Sequence, residues 1–276
     1  MPRNNQEKLG VQEEGHTPPV TNIQSLLNFV VPTEFVEIPT KGVFYPPDHP
    51  LHNVDTVEIK HMTAKETDIL TSKTLLKKGI AVDRMIQNIL VNQEIKVEDL
   101  FSGDKNALII AARKNGFGES YNASITCTTC STSFEQEFDL NDVNVKEPDD
   151  NIKFTDEGTF FVDLPQTKVV VECKLLTSVD ETKLLKLMEK RQKLNLPESA
   201  LTDQYKTFVV SLNGVTERGP VEEFIDLMPA RDANHLRKEY EDARPDIDLT
   251  HISDCPNCSA VVKVNIPFTV NFFWPQ

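Results

Sequence analysis

Two matched pairs of cysteines are the residues of this chain whose types and spacing point most directly to chemistry. The first pair is Cys127 and Cys130, in the stretch CTTC, and the second is Cys255 and Cys258, in CPNC. A Cys-x-x-Cys turn lets two thiolates approach one ion, and two such turns complete a tetrahedral site. The sequence therefore predicts that these four cysteines bind one metal ion, which we expect to be zinc.

All four ligands of this predicted site are thiolates, so no coordination position is left for water or a substrate. The metal is therefore expected to be structural. Iron of the rubredoxin type has similar ligand spacing and is an alternative. Redox-active pairs normally begin a helix, and disulfides are rare in a reducing cytoplasm, which makes both weaker alternatives. The fifth cysteine, Cys173, lies on the apolar side of a predicted strand, as a buried small hydrophobic residue does.

Alternating apolar residues flank both cysteine pairs, which predicts strands on each side of both turns. Before the first pair, Tyr121, Ala123 and Ile125 share one parity, and after the second pair every second residue from Val262 to Trp274 is apolar. The pairs are separated by 124 residues, 131–254. We therefore expect a zinc ribbon whose two halves come from distant parts of the chain.

The rest of the pattern predicts an α+β fold with three parts. Residues 1–33 form a disordered tail with a short amphipathic helix. Residues 34–145 and 246–276 form the core, in which a helical stretch precedes the zinc ribbon. Residues 146–245 form an inserted lobe that consists of a hairpin followed by helices.

Two capping-box patterns predict where helices begin. Thr63 is followed three residues later by Glu66, and Ser178 is followed by Glu181 at the same spacing. In such a box each residue of the pair bonds the backbone N–H of the other. We therefore expect one helix to begin at each pair.

The composition is that of a soluble globular protein, with 39% hydrophobic and 26% charged residues among 276. Acidic residues outnumber basic ones by 43 to 29, and the net charge of −14 argues against sequence-independent nucleic-acid binding. No signal peptide and no membrane-spanning stretch is expected from the sequence. The expected compartment is a reducing cytoplasm.

Motifs that would indicate catalysis were not found in the sequence: there is no P-loop, no G-x-S-x-G, no H-E-x-x-H and no dinucleotide fingerprint. Six histidines are present. His251 lies four residues before Cys255 and is an alternative ligand, although four cysteines already suffice. His49 and His52 lie in a proline-rich loop, where solvated side chains are the simpler interpretation. We therefore expect a protein that is not an enzyme.

The ordered segments resemble the baseplate hub proteins of contractile-tailed phages of the T-even type. The resemblance covers roughly residues 34–274 and depends on the order of several stretches rather than on any one of them. These are IPTKGVFY, ARKNGFGESY leading into ITCTTC, DLPQTKVVVECKLLT, DANHLRKEY with PDIDL and CPNC, and the final FFWP. The chain departs from the usual pattern at Ser131 and Ser259, where glycine often follows the second cysteine of a knuckle.

The resemblance implies a component or assembly factor of the hub beneath the tail tube, with no catalytic residues. The implied partners are other hub or tail proteins, a homo-oligomer being a further expectation. The implied location is the host cytoplasm during assembly, and then the virion tail if the protein remains in the particle. A nucleic-acid-binding zinc ribbon is the alternative class, but the predicted strand 131–140 carries Glu135, Glu137 and Asp139 instead of basic residues.

Phe273 interrupts the alternation of the last predicted strand, since it falls on the side opposite to Phe272 and Trp274. That side also carries polar residues. We therefore expect Phe273 to be exposed and to contact a hub partner, because aromatic residues supply much of the binding energy at protein interfaces. The alternative is that the N-terminal segment or another helix of the same chain covers it.

Overall fold

The computed structural model describes residues 31–194, 199–266 and 270–273. The chain divides into two units, Met1–Pro32 and Thr33–Gln276, of which the second is compact. Nearly all described residues belong to the second unit. The predicted disordered tail and its amphipathic helix lie almost entirely in residues 1–30, outside the described residues.

The second unit combines helices with small antiparallel sheets, which confirms the predicted α+β class. The strands are β1 (Thr33–Glu37), β2 (Thr56–Lys60), β3 (Ser120–Thr126), β4 (Ser133–Asp139), β5 (Asn144–Lys146), β6 (Thr159–Asp163), β7 (Val170–Lys174), β8 (Val209–Leu212), β9 (Asp246–Asp248), β10 (Thr250–Asp254) and β11 (Val261–Asn265). The helices are α1 (Ala64–Thr71), α2 (Lys73–Lys77), α3 (Ala81–Ile89), α4 (Ser102–Phe117), α5 (Ser178–Lys193), α6 (Ala200–Phe208), α7 (Arg218–Leu227) and α8 (Ala230–Ala243). Short 3-10 turns occur at Val97–Asp99 and Val270–Phe273.

Among the described residues, every strand pair except one joins strands that are consecutive in the chain. The sheets are β1–β2, β3–β4, β10–β11 and the three-stranded β6–β7–β8, together with the pair β5–β9. In that last pair Val145 is opposite Ile247. The chain therefore enters and leaves the segment 146–245 through two neighbouring strands, although these strands are far apart in the sequence.

Buried apolar side chains form two main clusters. The first includes Leu108, Tyr121 and Phe138 and gathers residues from 38–140 and from the C-terminal part after 246. The second includes Phe160 and Tyr240 and gathers residues from 160–243 around the three-stranded sheet.

Capping-box spacing predicts two helix starts, and both helices begin there, but only one of the two boxes forms. Thr63 and Glu66 make a complete capping box at the start of α1. At α5 the N-cap is Thr177, which makes no side-chain capping bond. Thr177 forms a backbone bridge with Phe101, and Ser178 N–H donates to the carbonyl of Leu100. A contact with a distant part of the chain therefore sets this helix start.

The C-terminal segment differs from the sequence prediction. Strand β11 ends at Asn265, and the described residues 270–273 form a 3-10 turn instead of continuing the strand. Phe273 is only 4% exposed, and its ring packs edge-on against Phe272 at 5.2 Å and Phe117 at 6.3 Å. The expected exposure of Phe273 is wrong, because a turn directs successive residues to the same core, whereas a strand would have separated them.

Asp104, in the first turn of α4, is fully buried and accepts three hydrogen bonds. The donors are Thr40 N–H at 3.0 Å, the Thr40 hydroxyl at 2.6 Å and the Tyr45 hydroxyl at 2.8 Å. Tyr45 in turn accepts from the N–H of Phe101. Burial raises the pKa of Asp104 to about 6, against the lowering effect of these hydrogen bonds, and the charge of Asp246 adds to the increase.

Asp104 is predicted to make the stability depend on pH. Its folded pKa lies above its ordinary value of 3.8, so its contribution to stability is fully present below about pH 4 and is lost as the pH rises through about 6. Asp104→Asn should remove this dependence. The free energy of unfolding of the wild type relative to the variant should fall by up to about 3 kcal/mol between pH 4 and 7. Urea titrations over this range measure it.

The control for this experiment is Asp142→Asn, at an exposed aspartate. Its free energy of unfolding is measured under the same conditions, which separates the effect of burial from that of replacing a carboxylate. If the difference between wild type and Asp104→Asn does not change with pH, then Asp104 does not titrate as proposed.

The inserted lobe remains a prediction, and limited proteolysis can test it. If 146–245 is a semi-independent lobe, a protease should cut near 141–152 or 243–250 before it cuts the helices, since the connections of a lobe open more readily than its core. The fragments would be identified by mass spectrometry. Cuts spread evenly along the chain would instead indicate a single fused domain.

Candidate metal centre

The first cysteine pair lies in the turn between β3 and β4. The backbone closes this turn twice: Cys127 N–H donates to the carbonyl of Thr132, and Ser131 N–H donates to the carbonyl of Cys127, both at 2.9 Å. The N–H of Thr129 points at the Cys127 sulfur, 3.4 Å away. The hairpin and its turn therefore fix where the two sulfur atoms of Cys127 and Cys130 can lie.

The second pair repeats this arrangement between β10 and β11. Cys255 N–H donates to the carbonyl of Ala260 at 2.9 Å, and Ser259 N–H donates to the carbonyl of Cys255 at 2.8 Å. Ser131 and Ser259 have φ of 57° and 55°, a left-handed conformation that glycine adopts most easily. This backbone geometry explains why glycine is common at the positions of the two serines.

The two turns face each other and bring four sulfur atoms together. The Sγ atoms of Cys127 and Cys258 are 3.8 Å apart, those of Cys130 and Cys255 are 3.7 Å apart, and all four lie within 4.8 Å of one another. A tetrahedral zinc site with Zn–S bonds of about 2.3 Å has S–S edges of about 3.8 Å. A disulfide requires about 2.05 Å, so the cysteines are free thiols with the spacing of metal ligands.

Hydrogen bonds favour the thiolate form at the first turn. The Cys130 sulfur lies 3.3 Å from the Thr132 hydroxyl and 3.6 Å from Asn257 Nδ2 on the opposite turn. These contacts, with the backbone N–H of Thr132, lower the pKa of Cys130 to about 5. The pKa of Cys127 is lowered chiefly by the backbone N–H of Cys130, with a contribution from that of Thr129. Thiolate is the form in which cysteine binds metals.

A small apolar cluster surrounds the sulfur atoms. It contains the buried residues Cys127, Cys255 and Val262, with Phe134 and Val264 packed against them. Cys258 is the exposed member of the four. The cluster limits the access of water from one side, which raises the strength of any bond between a cation and the thiolates.

The other candidate residues from the sequence analysis lie outside the four-cysteine cluster. The group of candidate ligands found among the described residues holds the four cysteines and not His251, whose ring packs edge-on against Phe138 at 5.0 Å. Cys173 is fully buried, and burial raises its pKa. His49 stacks on Tyr45 at 4.4 Å. Phe273 is buried, as described above, and is not part of the cluster.

Sequence reasoning missed the contacts of Thr132 and Asn257 with the Cys130 sulfur. Asn257 is the third residue of CPNC, and Thr132 follows the first knuckle by two residues. Their amide and hydroxyl groups are a usable signal, because side-chain donors beside a cysteine pair commonly bond its sulfur atoms. The pairing across the two turns, in which Asn257 Nδ2 also donates to the Thr132 hydroxyl at 3.2 Å, is a tertiary feature.

The fold and the site define a class: an α+β protein in which a closed four-cysteine cluster joins two hairpins from distant parts of the sequence. The family model described as T4 bacteriophage base plate protein matches residues 47–274. The chain belongs to this family. A search of curated proteins gave no significant match, and neither did a search of solved structures.

Family membership confirms the resemblance to T4-type baseplate proteins that the sequence indicated. It implies a structural role in the phage tail and contacts with other tail or baseplate proteins. Among the described residues, the helices are too short or too polar to cross a membrane.

The four-cysteine cluster is predicted to bind one zinc ion per chain. Cys258→Ser removes a ligand at the exposed position, where little packing is lost, and should abolish zinc binding. Its thermal midpoint should fall by about 10 °C or more, since structural zinc sites contribute several kcal/mol to folding. Metal content is measured by elemental analysis, and the midpoint by circular dichroism.

Cys173→Ala is the matched control, because it also removes a thiol but leaves the cluster intact. Its zinc content should equal that of the wild type. A folded wild-type protein with almost no zinc would contradict the prediction, and stoichiometric iron with a visible absorption band would establish the rubredoxin-type alternative.

Proposed function

We propose that this protein is a non-catalytic structural or assembly protein of the phage baseplate hub and that one structural zinc ion stabilises it. The observation that carries the proposal is the family match, which extends over residues 47–274. The assignment to the hub, as distinct from other parts of the baseplate, rests on the resemblance in the sequence stretches listed above.

The proposed role of zinc follows from the geometry of the four sulfur atoms. Cys127 and Cys130 hold one edge of the tetrahedron, and Cys255 and Cys258 hold the opposite edge. When bound, zinc supplies four metal–thiolate bonds and no open position for a reacting molecule. The ion would act as a crosslink between the two hairpins, and its removal would free them from each other.

The remaining elements of the proposal concern partners and place. The proposed partners are other hub or tail proteins, which the chain would meet in the host cytoplasm during assembly. A strongly acidic chain repels its own copies at long range unless specific contacts form. The net charge of −14 therefore supports controlled assembly, because association then needs a matching surface.

Nucleic-acid binding is the alternative class, and the surface of the first hairpin argues against it. Glu135, Glu137 and Asp139 are exposed along β4. They would face a phosphate backbone with like charge, whereas nucleic-acid-binding surfaces present lysine and arginine. A gel-shift assay at low salt would detect binding if this argument fails.

The function is tested with phage particles in which this gene carries an early stop codon. In a non-permissive host we expect tails without a complete hub, as seen by electron microscopy, because a structural or assembly protein is needed in stoichiometric or near-stoichiometric amounts. Expression of the wild-type chain in trans should restore the hub. Normal, infectious tails in the absence of the protein would contradict the proposal.

Mass spectrometry of purified particles and of assembly intermediates distinguishes a hub subunit from an assembly factor. A hub subunit should be present in both, whereas an assembly factor should be present in the intermediates alone. Complementation with Cys258→Ser is the companion experiment: if zinc stabilises the protein in the cell, this variant should complement less well than Cys173→Ala.

A further inference from the structure

Strand β1 has an edge with which no other described strand pairs. Its sheet contains only β1 and β2, and Phe35 lies opposite Glu58 in that pair. The N–H of Val91 donates to the carbonyl of Glu58 from the outer side of β2, so the backbone groups of Glu58 point away from β1. Two opposed residues of an antiparallel pair point either both toward each other or both away. The N–H and C=O of Phe35 therefore point away from β2, onto the open edge of β1.

Thr33 and Glu37 share this orientation, because alternate residues of a strand direct their backbone groups to the same side. The bond from Ile38 N–H to the carbonyl of Asp55 continues the ladder with the same parity, since it turns the even-numbered residues toward β2. No described residue bonds the outward groups of Thr33, Phe35 and Glu37. The edge of β1 is therefore a free template for another strand.

The space beside this edge is open in the described part of the chain. A hollow of about 330 Å³ is lined by residues 34–37 of β1, by Ile110 of α4 and by Val143. On the outer face Phe35 is 69% exposed, more than any other aromatic side chain among the described residues. No described element therefore covers the backbone groups of β1 or the ring at the centre of the strand.

We propose that two copies of this chain pair through the open edges of their β1 strands, so that the two hairpins form one four-stranded antiparallel sheet across a two-fold axis at Phe35. Each β1 strand would then satisfy the backbone groups of the other. The occupant is a second copy because the strand is complementary to itself, both in its register and in its charges.

The register follows from the length and sequence of the strand. With the axis at Phe35, Thr33 pairs with Glu37 of the second copy and Phe35 pairs with its own counterpart, so all five residues of β1 are paired. These outward residues form three pairs that each exchange two backbone hydrogen bonds. An axis at Glu37 would leave a single pair within β1, in which two glutamates oppose each other, and like charges in that position are destabilising.

The charges on the outer face of the hairpin support the same register. Lys60 lies opposite Thr33 and Glu37 lies opposite Thr56, so the two charged residues lie at opposite ends of the face. Neither forms a salt bridge with another described residue. The two-fold axis places Glu37 of the second copy beside Thr33 and two strands from Lys60, about 10 Å between backbones. Extended lysine and glutamate side chains span this distance across the small threonine, and the dimer contains two such pairs.

The contact closes after two copies, because each edge is used by its own counterpart, as in an isologous interface. A strand from a different protein is the competing occupant of an open edge, and in that case the purified chain would remain a monomer. This inference concerns self-association and does not depend on the zinc ion or on the assignment to the hub.

Sedimentation experiments on charge-reversed variants test the pairing. The wild type should pass from monomer to dimer between about 5 µM and about 200 µM, the range in which small interfaces associate. Lys60→Glu and Glu37→Lys should each weaken dimerisation about threefold or more, because like charges then meet twice. An equimolar mixture of the two variants should dimerise as the wild type does, since both pairs regain opposite charges. Lys77→Glu, at an exposed lysine of α2, is the matched control and should behave like the wild type.

Disulfide crosslinking tests the register. The two Cα atoms of a hydrogen-bonded antiparallel pair are about 5.5 Å apart, a separation that a disulfide can join. Phe35→Cys should therefore give a covalent dimer in oxidised glutathione, as seen on a non-reducing gel. Glu58→Cys lies on the same face, but its counterpart would be three strands away, about 14 Å, so this variant should give no more covalent dimer than the wild type.

The proposal is overturned if the wild type stays monomeric throughout the concentration range or if its mass rises beyond that of a dimer. It is also overturned if the mixture of charge-reversed variants does not dimerise, or if Glu58→Cys crosslinks as readily as Phe35→Cys. Zinc content, measured on the same samples, should equal that of the wild type in Lys60→Glu and Glu37→Lys, so failure of the pairing leaves the proposed metal site untouched.

Discussion

The convergence of four sulfur atoms is the constraint that joins two distant parts of the chain. Two turns separated by 124 residues lie within 4.8 Å of each other at their sulfur atoms. Closing a loop of that length costs conformational entropy, and the sulfur atoms repel when ionised. A cation that binds all four offsets both costs. The paired strands β5 and β9 reinforce the same closure, because they hold the two ends of the intervening segment side by side.

Helix α4 links the rest of the core to this closure through two buried polar residues. Asp104, at its start, holds the segment after β1 through Thr40 and Tyr45. Arg113, near its end, is fully buried and donates to the carbonyls of Phe272, Gly118 and Ser120. Buried charges cost free energy unless they are fully hydrogen-bonded, so each of these residues fixes the geometry of the chain that supplies its partners.

These features suit a protein that acts by its shape. The four cysteines lie where a bound metal ion would crosslink the two hairpins, with a sulfur atom at each ligand position. Family membership assigns this scaffold to the T4-type base plate proteins. Apolar side chains that would be unfavourable in an isolated protein, such as Phe35 and Leu185, are exposed. Exposed apolar groups of this kind are typical of proteins that function within an assembly.

The sequence by itself determined the features whose signals are local: the two cysteine turns, the strands that flank them and the capping box of Thr63, since turn chemistry and alternation act over a few residues. It also indicated the family. Only the tertiary structure decided that Phe273 is buried and that backbone contacts, not a capping box, hold the start of α5. Phe117 covers the first, and Phe101 and Leu100 bond the backbone at the second. Both depend on residues far away in the sequence, and no local pattern of side chains can report such contacts.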